Sequence, residues 1–248
     1  MLRKRVIPIL QLNDDELIKS KKFKHHKYVG DPINAVRIFN EIQVDEIILL
    51  DVFKSKNKND ISYDIIKDIA DECRMPFTYG GGIKNLGQVE KLFDLGVEKI
   101  SLNSSVLKNY EIIKDLSKIY GNQSIIVSVD IKRNLMGKKK LYDWSKNKIL
   151  KLDIIEHIKK CIDYGAGEIL INDVNSEGTL NGFDFSVFDL LKDQFKVPII
   201  FNGGINSYNQ IKEILSNDEV DAVGVGALFI YYGTHRAVLI SYIPENAR

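Results

Sequence analysis

Short apolar runs recur along the 248 residues, most of them ending in glycine, asparagine or aspartate and followed by a stretch with apolar positions three and four apart. Continuous apolar runs of this length read as strands buried on both faces of a parallel sheet, and the wider spacing reads as amphipathic helix. The predicted strands are Arg5–Gln11, Glu46–Asp51, the segment from Pro76, Lys99–Asn103, Ser124–Asp130, Glu168–Asn172, Pro198–Asn202 and Ala222–Gly226. Asp31-Pro32 opens the first helix, with aspartate as N-cap and proline in the first turn. Ile33, Val36, Phe39 and Ile42 give that helix its apolar face. Further helices are predicted over about 61–73, around Val89, Leu92 and Phe93, and over about 109–119, 152–164, 184–194 and 234–241.

The pattern is doubled. Pro76–Ile83 reads Pro-Phe-Thr-Tyr-Gly-Gly-Gly-Ile, and Pro198–Ile205 reads Pro-Ile-Ile-Phe-Asn-Gly-Gly-Ile, 122 positions later (198 − 76). Asp51 in Leu-Leu-Asp-Val and Asp173 in Ile-Asn-Asp-Val keep the same offset, 122 (173 − 51). Two strand–helix halves in register predict a single (β/α)8 TIM barrel over residues 1–248, with half-barrels of about 1–121 and 122–248. Each glycine turn lets backbone N–H groups close on an anion beside a helix start, so phosphate binding is expected at Gly81-Gly82 and at Gly203-Gly204.

Composition narrows the function classes. Net charge is +1, which excludes a nucleic-acid partner recognised by bulk charge. The apolar run after the basic start is too short for a secretory signal, and no run approaches membrane-span length, so a cytoplasmic protein is expected. Cys73 and Cys161 lack ligand spacing and read as reduced thiols, with neither metal nor cofactor expected. Two long loops, 12–30 and Lys132–Asn147, are lysine-rich and follow strands one and five. They read either as solvated loops or as covers for an extended anionic ligand, phosphorylated or nucleotide-like, with phosphates at both ends.

In a doubled barrel the ends of strands one and five face each other across the mouth. Those positions are Gln11 and Asp130. Asp130 fits a proton-transfer role, or a structural one accepting loop N–H groups; Gln11 does not titrate. At the other end, strands one, two, four and six begin with Arg5, Glu46, Lys99 and Glu168. Two positive and two negative groups predict a neutral ring. It serves either strand registry or admission of a small neutral molecule from a partner docked below.

These residues resemble the cyclase subunit of imidazole-glycerol-phosphate synthase over nearly the whole chain. The matching stretches include Met1-Leu2-x-Lys4-Arg5, Lys19, Gly30-Asp31-Pro32, Leu50-Asp51, Gly80-Gly81-Gly82-Ile83, Lys99–Ser104, Val129-Asp130, Gly165–Leu170, Glu177-Gly178-Thr179 and Gly203-Gly204. The resemblance implies a glutaminase partner at the barrel bottom and an ammonia gate at Arg5, Glu46, Lys99 and Glu168. It implies phosphate or substrate contacts near Gly82, Asn103 and Ser104, and near Glu177, Gly178, Gly203, Gly226 and Ala227. Lys19 is implied on a mobile first loop and Asp130 as an active-site carboxylate. Gln11 replaces the family's aspartate, and Asn175 and Glu177 replace an acidic pair.

The stretches Gly30–Asn40 and Gly233–Tyr242 resemble paralogues tied to amidation of N-acetyl sugars in bacterial lipopolysaccharide or flagellar glycans. There the barrel is expected to pass ammonia to a separate, ATP-dependent sugar amidotransferase. A histidine-biosynthesis cyclase (lyase) is the alternative, and a non-catalytic scaffold for the glutaminase a third reading. His235 and Arg236 in that tail are either structural or contacts to a partner or to the second phosphate turn.

Overall fold

The structure, a computed structural model, describes residues 4–57, 60–218 and 220–243, so Met1 and Leu2 of the matching amino-terminal stretch lie outside the described residues. Eight parallel strands form the sheet: β1 (Arg5–Asn13), β2 (Ile47–Asp51), β3 (Phe77–Gly80), β4 (Lys99–Leu102), β5 (Ile125–Arg133), β6 (Glu168–Asp173), β7 (Ile199–Asn202) and β8 (Ala222–Val225). β8 pairs back onto β1 (Arg5 opposite Ala222) while β1 pairs forward onto β2 (Ile9 opposite Ile48), so the sheet closes. The two halves meet where Ile100 of β4 pairs with Ile125 of β5 and where β8 meets β1. This is the expected (β/α)8 barrel.

Strand side chains alternate between the two faces, and the cores divide accordingly. Ile7, Ile9, Ile48, Ile126, Leu170, Ile200 and Ala222 form a small buried cluster inside the barrel. Their neighbours along the strands, such as Val6, Leu10, Ile47 and Leu49, pack outward against the helices in the large cluster. Those helices are α1 (Pro32–Ile42), α2 (Tyr63–Glu72), α3 (Leu86–Asp94), α4 (Glu111–Tyr120), α5 (Ile154–Asp163), α6 (Ser186–Leu191), α7 (Tyr208–Leu215) and the short α8 (Ala227–Ile230). Asp31 caps α1 as expected, its carboxylate accepting from the Asn34 N–H at 2.7 Å. The helix α7 was not anticipated, although Ser207 caps it through the Gln210 N–H and Ile211 and Ile214 give it a buried side.

Three segments differ from expectation. Residues 12–30 are not an open loop: β1 runs on to Asn13, and Glu16–Lys21 and Lys24–Gly30 fold back as an antiparallel ribbon, with Gln11 opposite Ile18. Likewise β5 continues to Arg133 and pairs with Lys139–Asp143. In each case a strand already fixed in the barrel supplies the ladder on which the next segment pairs. The segment 234–241 is not a helix. Tyr231–Tyr232 pairs with Ala237–Val238 across a turn with positive φ at Gly233 and Arg236. Val238 and Leu239 are exposed, so that segment has no buried face to stabilise a helix.

Candidate functional site

At the amino ends of the strands the four charged residues meet in one ring. Arg5 donates to Glu46 Oε2 at 2.7 Å and to Glu168 Oε1, and Lys99 Nζ reaches Glu46 Oε1 at 3.0 Å and Glu168 Oε2 at 3.4 Å. Thr78 adds a hydroxyl donor to Glu46 at 3.2 Å. Both carboxylates are buried, and the cations keep side-chain exposures of 23% and 22%, so the ring opens toward the lower solvent face. Directly above it lies the apolar cluster of Ile7, Ile48, Ile126 and Leu170.

Polar groups return above that layer. Asn172 Nδ2 donates to Ser128 Oγ at 2.8 Å and to Asp130 Oδ1 at 2.9 Å, and Asn202 Nδ2 donates to Asn172 Oδ1 at 2.9 Å. Asn103 Nδ2 donates to the other Asp130 oxygen at 2.9 Å. Asp130 is therefore held between two carboxamides. Burial pushes its carboxyl up to about 6, with the Asn172 and Asn103 hydrogen bonds pulling it back and Asp143 and Glu177 adding to the rise. A group there exchanges a proton near neutral pH, as a general acid or base requires.

Gln11 and Asp130 line one cavity of about 100 Å³, together with Gly81, Gly82, Asn103 and Ser104 of the first glycine turn and the β4 end. The turn is built for close approach. Gly81 has φ +130°, and a Cβ there would strike the Asp51 carbonyl. Its roof is aromatic. Phe23 of the first ribbon meets the Trp144 ring edge-on at 5.5 Å, His26 packs on Phe53 at 4.6 Å with the rings tilted, and the Trp144 indole donates to the Val52 carbonyl at 3.1 Å.

The second expected set, Glu177, Gly178, Gly203, Gly204, Gly226 and Ala227, surrounds a separate space of about 10 Å³. Glu177 has a further position: it is buried, accepts from Gln11 Nε2 at 3.2 Å, and forms an ion pair with Lys19. The end of strand one therefore has an acidic neighbour after all, supplied by the loop after β6 and charge-paired to the ribbon. Arg236 donates to the Gly178 and Thr179 carbonyls at 3.1 and 2.6 Å, which ties the carboxy-terminal hairpin to this loop. His235 is exposed.

Asp51 was not singled out as a site residue, although it keeps register with Asp173. It is 3% exposed and lines the larger cavity. Burial pushes its carboxyl up to about 7; Lys54 opposes this and Asp14 adds to it. The Lys54 ammonium sits 2.6 Å from Asp14 and 3.9 Å from Asp51, so Asp14 takes most of its charge. The sequence signal for it is the repeat itself, which sets Asp51 in register with Asp173.

Among the described residues, no His, Cys, Asp and Glu cluster has the arrangement to hold a metal ion, and no helix is long and apolar enough to cross a membrane. Burial holds the Cys73 and Cys161 thiols protonated, pushed up to about 12.

The sequence matches the family described as "Histidine biosynthesis protein" over residues 5–236. It is 41% identical over 246 residues to a Pseudomonas aeruginosa chain named provisionally as imidazole glycerol phosphate synthase subunit hisF2, covering 99% of this chain and 98% of that one. A Vibrio vulnificus chain provisionally named as subunit hisF3 is 42% identical over 243 residues, covering 98% and 94%. The imidazole glycerol phosphate synthase subunit HisF of Methanococcus vannielii is 33% identical over 266 residues, covering 99% and 98%.

Proposed function

The chain belongs to the histidine biosynthesis protein family as a HisF-type cyclase subunit, and from that premise we propose that it is an ammonia-conducting barrel serving amidation of N-acetyl sugars in bacterial surface glycans. A glutaminase docks on the lower face, and ammonia enters through the ring of Arg5, Glu46, Lys99 and Glu168. The ring is net neutral, and the layer above it is aliphatic. A neutral, small nitrogen nucleophile crosses such a layer at low cost, whereas an ammonium ion is held back by desolvation. At the upper face it passes to a separate acceptor-activating enzyme.

The observation that carries this reading is the pairing of a complete lower ring with a rim where the first strand presents a group that does not titrate, Gln11. Gln11 spends its amide on structure: its oxygen accepts from the Ser20 N–H at 2.9 Å and its nitrogen donates to Glu177. The nearest acid, Glu177, is neutralised by Lys19. Among the described residues Asp130 forms no salt bridge and is held by Asn103 and Asn172 instead.

The test joins this chain to its cognate glutaminase and supplies the histidine-pathway ribonucleotide with glutamine or ammonia. The expected result is glutamine hydrolysis with ammonia emerging from the barrel and negligible ring closure. Ring closure at an ordinary enzyme rate would sink the reading.

A second reading, a cyclase of histidine biosynthesis, draws on Asp130 near pH 6 with Glu177 close to Gln11. There Glu177 acts in place of the missing aspartate once Lys19 moves to the substrate. Glu177→Gln separates the two: it abolishes ring closure under the second reading and leaves ammonia transfer intact under the first.

A further inference from the structure

The two glycine turns are related by the internal repeat, yet they present opposite surroundings. Around the first, polar atoms are left unsatisfied. Four buried side-chain atoms among the described residues have no hydrogen-bond partner, and three of them, Ser20 Oγ, Asp51 Oδ1 and Ser101 Oγ, belong to residues lining the cavity of about 100 Å³. An unpaired buried polar atom is costly, so three around one cavity point to a ligand that supplies their partners.

Around the second turn no buried side-chain atom among the described residues is left without a partner. Asp173, the repeat partner of Asp51, uses both oxygens: Oδ1 accepts from the Asn175 N–H at 3.0 Å, and Oδ2 accepts from Ser176 Oγ at 3.0 Å and Lys139 Nζ at 3.3 Å. The remaining space of about 10 Å³ is near the minimum for one water, far short of a phosphate. Glu177 lines it, and Lys19, paired to that carboxylate, packs so closely on Gly226 that a Cβ there would meet its ammonium. Arg236 holds the loop shut through the Gly178 and Thr179 carbonyls. A phosphate entering here would have to displace the Glu177 carboxylate from Lys19, the cation that otherwise faces this turn.

We propose that this barrel takes a polyhydroxylated ligand carrying one phosphate, seated on the first glycine turn with a hydroxyl on Asp51, and that Glu177 fills the second turn in place of a second phosphate. The proposal rests on the functional reading only in placing the ligand site at the upper mouth. The first-turn phosphate meets the Gly82 N–H, which now makes only a 3.3 Å contact to Ser55 Oγ, and the Asn103 and Ser104 segment at the end of β4. Asp51 and Ser101 then read the adjoining hydroxyls. Ligands with phosphates at both ends gain nothing from the second one.

The test is calorimetric titration of the full chain with inorganic phosphate, ribose 5-phosphate and ribulose 1,5-bisphosphate. One inorganic phosphate is expected per chain, with the two sugar phosphates binding within about threefold of each other, since no second cradle is open to a charge-assisted contact. Asp51→Asn should weaken ribose 5-phosphate about tenfold, the loss of one charged hydrogen bond, and leave inorganic phosphate unchanged. Glu177→Ala should let the bisphosphate outbind the monophosphate by about tenfold. Two inorganic phosphates per unmodified chain, a tenfold bisphosphate preference in it, or no binding of ribose 5-phosphate overturns the proposal. Those comparisons use the unmodified chain, so they decide the matter even if a variant fails to fold. Ammonia transfer in the glutaminase complex, run in parallel, can fail without touching this result and can succeed when it fails.

Discussion

The amide of Gln11 donates to the carboxylate of Glu177 across 3.2 Å, joining the end of the first strand to the loop after the sixth. Through Glu177 the contact extends to Lys19, and through the Gln11 oxygen it reaches the Ser20 N–H at 2.9 Å. One uncharged side chain thus fixes both the first ribbon and the β6 loop over the barrel mouth. A carboxylate at position 11 would keep the shape and reverse the logic. It would lose the donor to Glu177 and set two acids against each other.

Gln11→Asp is therefore expected to loosen the ribbon and to set a second carboxylate competing with Glu177 for Lys19. Under the conduit reading it raises ring closure on the histidine-pathway ribonucleotide by an order of magnitude or more, because two opposed acids at the rim restore a proton-transfer pair. Steady-state turnover with added ammonia reads this directly. An unchanged rate argues for the cyclase reading, in which Glu177 already acts in place of the missing aspartate.

Lys99→Ala removes one cation from a ring whose two carboxylates are buried. Arg5 remains as their counter-ion, and Lys99 is partly exposed, so the cost should be about 1–2 kcal/mol rather than the larger loss of a fully buried pair. Ammonia transfer from the glutaminase should leak to solvent or stop, while glutamine hydrolysis continues. Equal transfer in the variant would favour a scaffold role.

Asp51 and Asp130 make stability depend on pH in a direction opposite to that of salt-bridged acids. Their folded values, about 7 and about 6, lie above the ordinary value of 3.8, so the native chain holds protons that the unfolded chain has released. Stability from these groups is therefore fullest below about pH 4 and falls as pH rises toward about 7. Asp51→Asn should flatten that slope and raise the denaturant midpoint at pH 8 relative to the parent chain. A midpoint shift of the same size at pH 4 and pH 8 would show that the Asp51 carboxyl ionises as readily folded as unfolded.

Gly178→Ala tests how the β6 loop supports the ribbon. Gly178 has φ +69°, and a Cβ there would run into the Ser20 carbonyl. Beside it the Lys22 N–H donates to the Glu177 carbonyl at 2.8 Å. The left-handed conformation alone costs a residue with a side chain about 1–2 kcal/mol. A fall of several degrees in melting temperature is expected, with faster tryptic cleavage around Lys21 and Lys22. Unchanged cleavage would mean that the ribbon is held by Gln11 alone.

Much of this was legible in the residue order. The apolar runs located all eight strands, and the offset of 122 between Pro76 and Pro198 showed the doubling. Charges at the strand starts announced the lower ring, and Gly81-Gly82 the larger cavity. The ribbons after β1 and β5 were read as loops because lysine-rich, weakly alternating sequence has no strand signal of its own. Their pairing comes from a neighbouring ladder that exists only once the barrel has closed. The segment 234–241 misled in the other direction, since its apolar spacing suits a helix but Val238 and Leu239 find nothing to pack on.

The doubled barrel and its ring of charges follow from local pattern, because alternation along a strand dictates which residues face inward whatever lies opposite. The difference between the two glycine turns does not. Asp51 and Asp173 hold equivalent places in the repeat, yet one keeps an unpaired oxygen and the other has none, because Asn175, Ser176 and Lys139 surround only Asp173. The pairing of Glu177 with Lys19, 158 positions apart, belongs to the same class. Such contacts join segments remote in the chain, and only the closed fold brings them within reach.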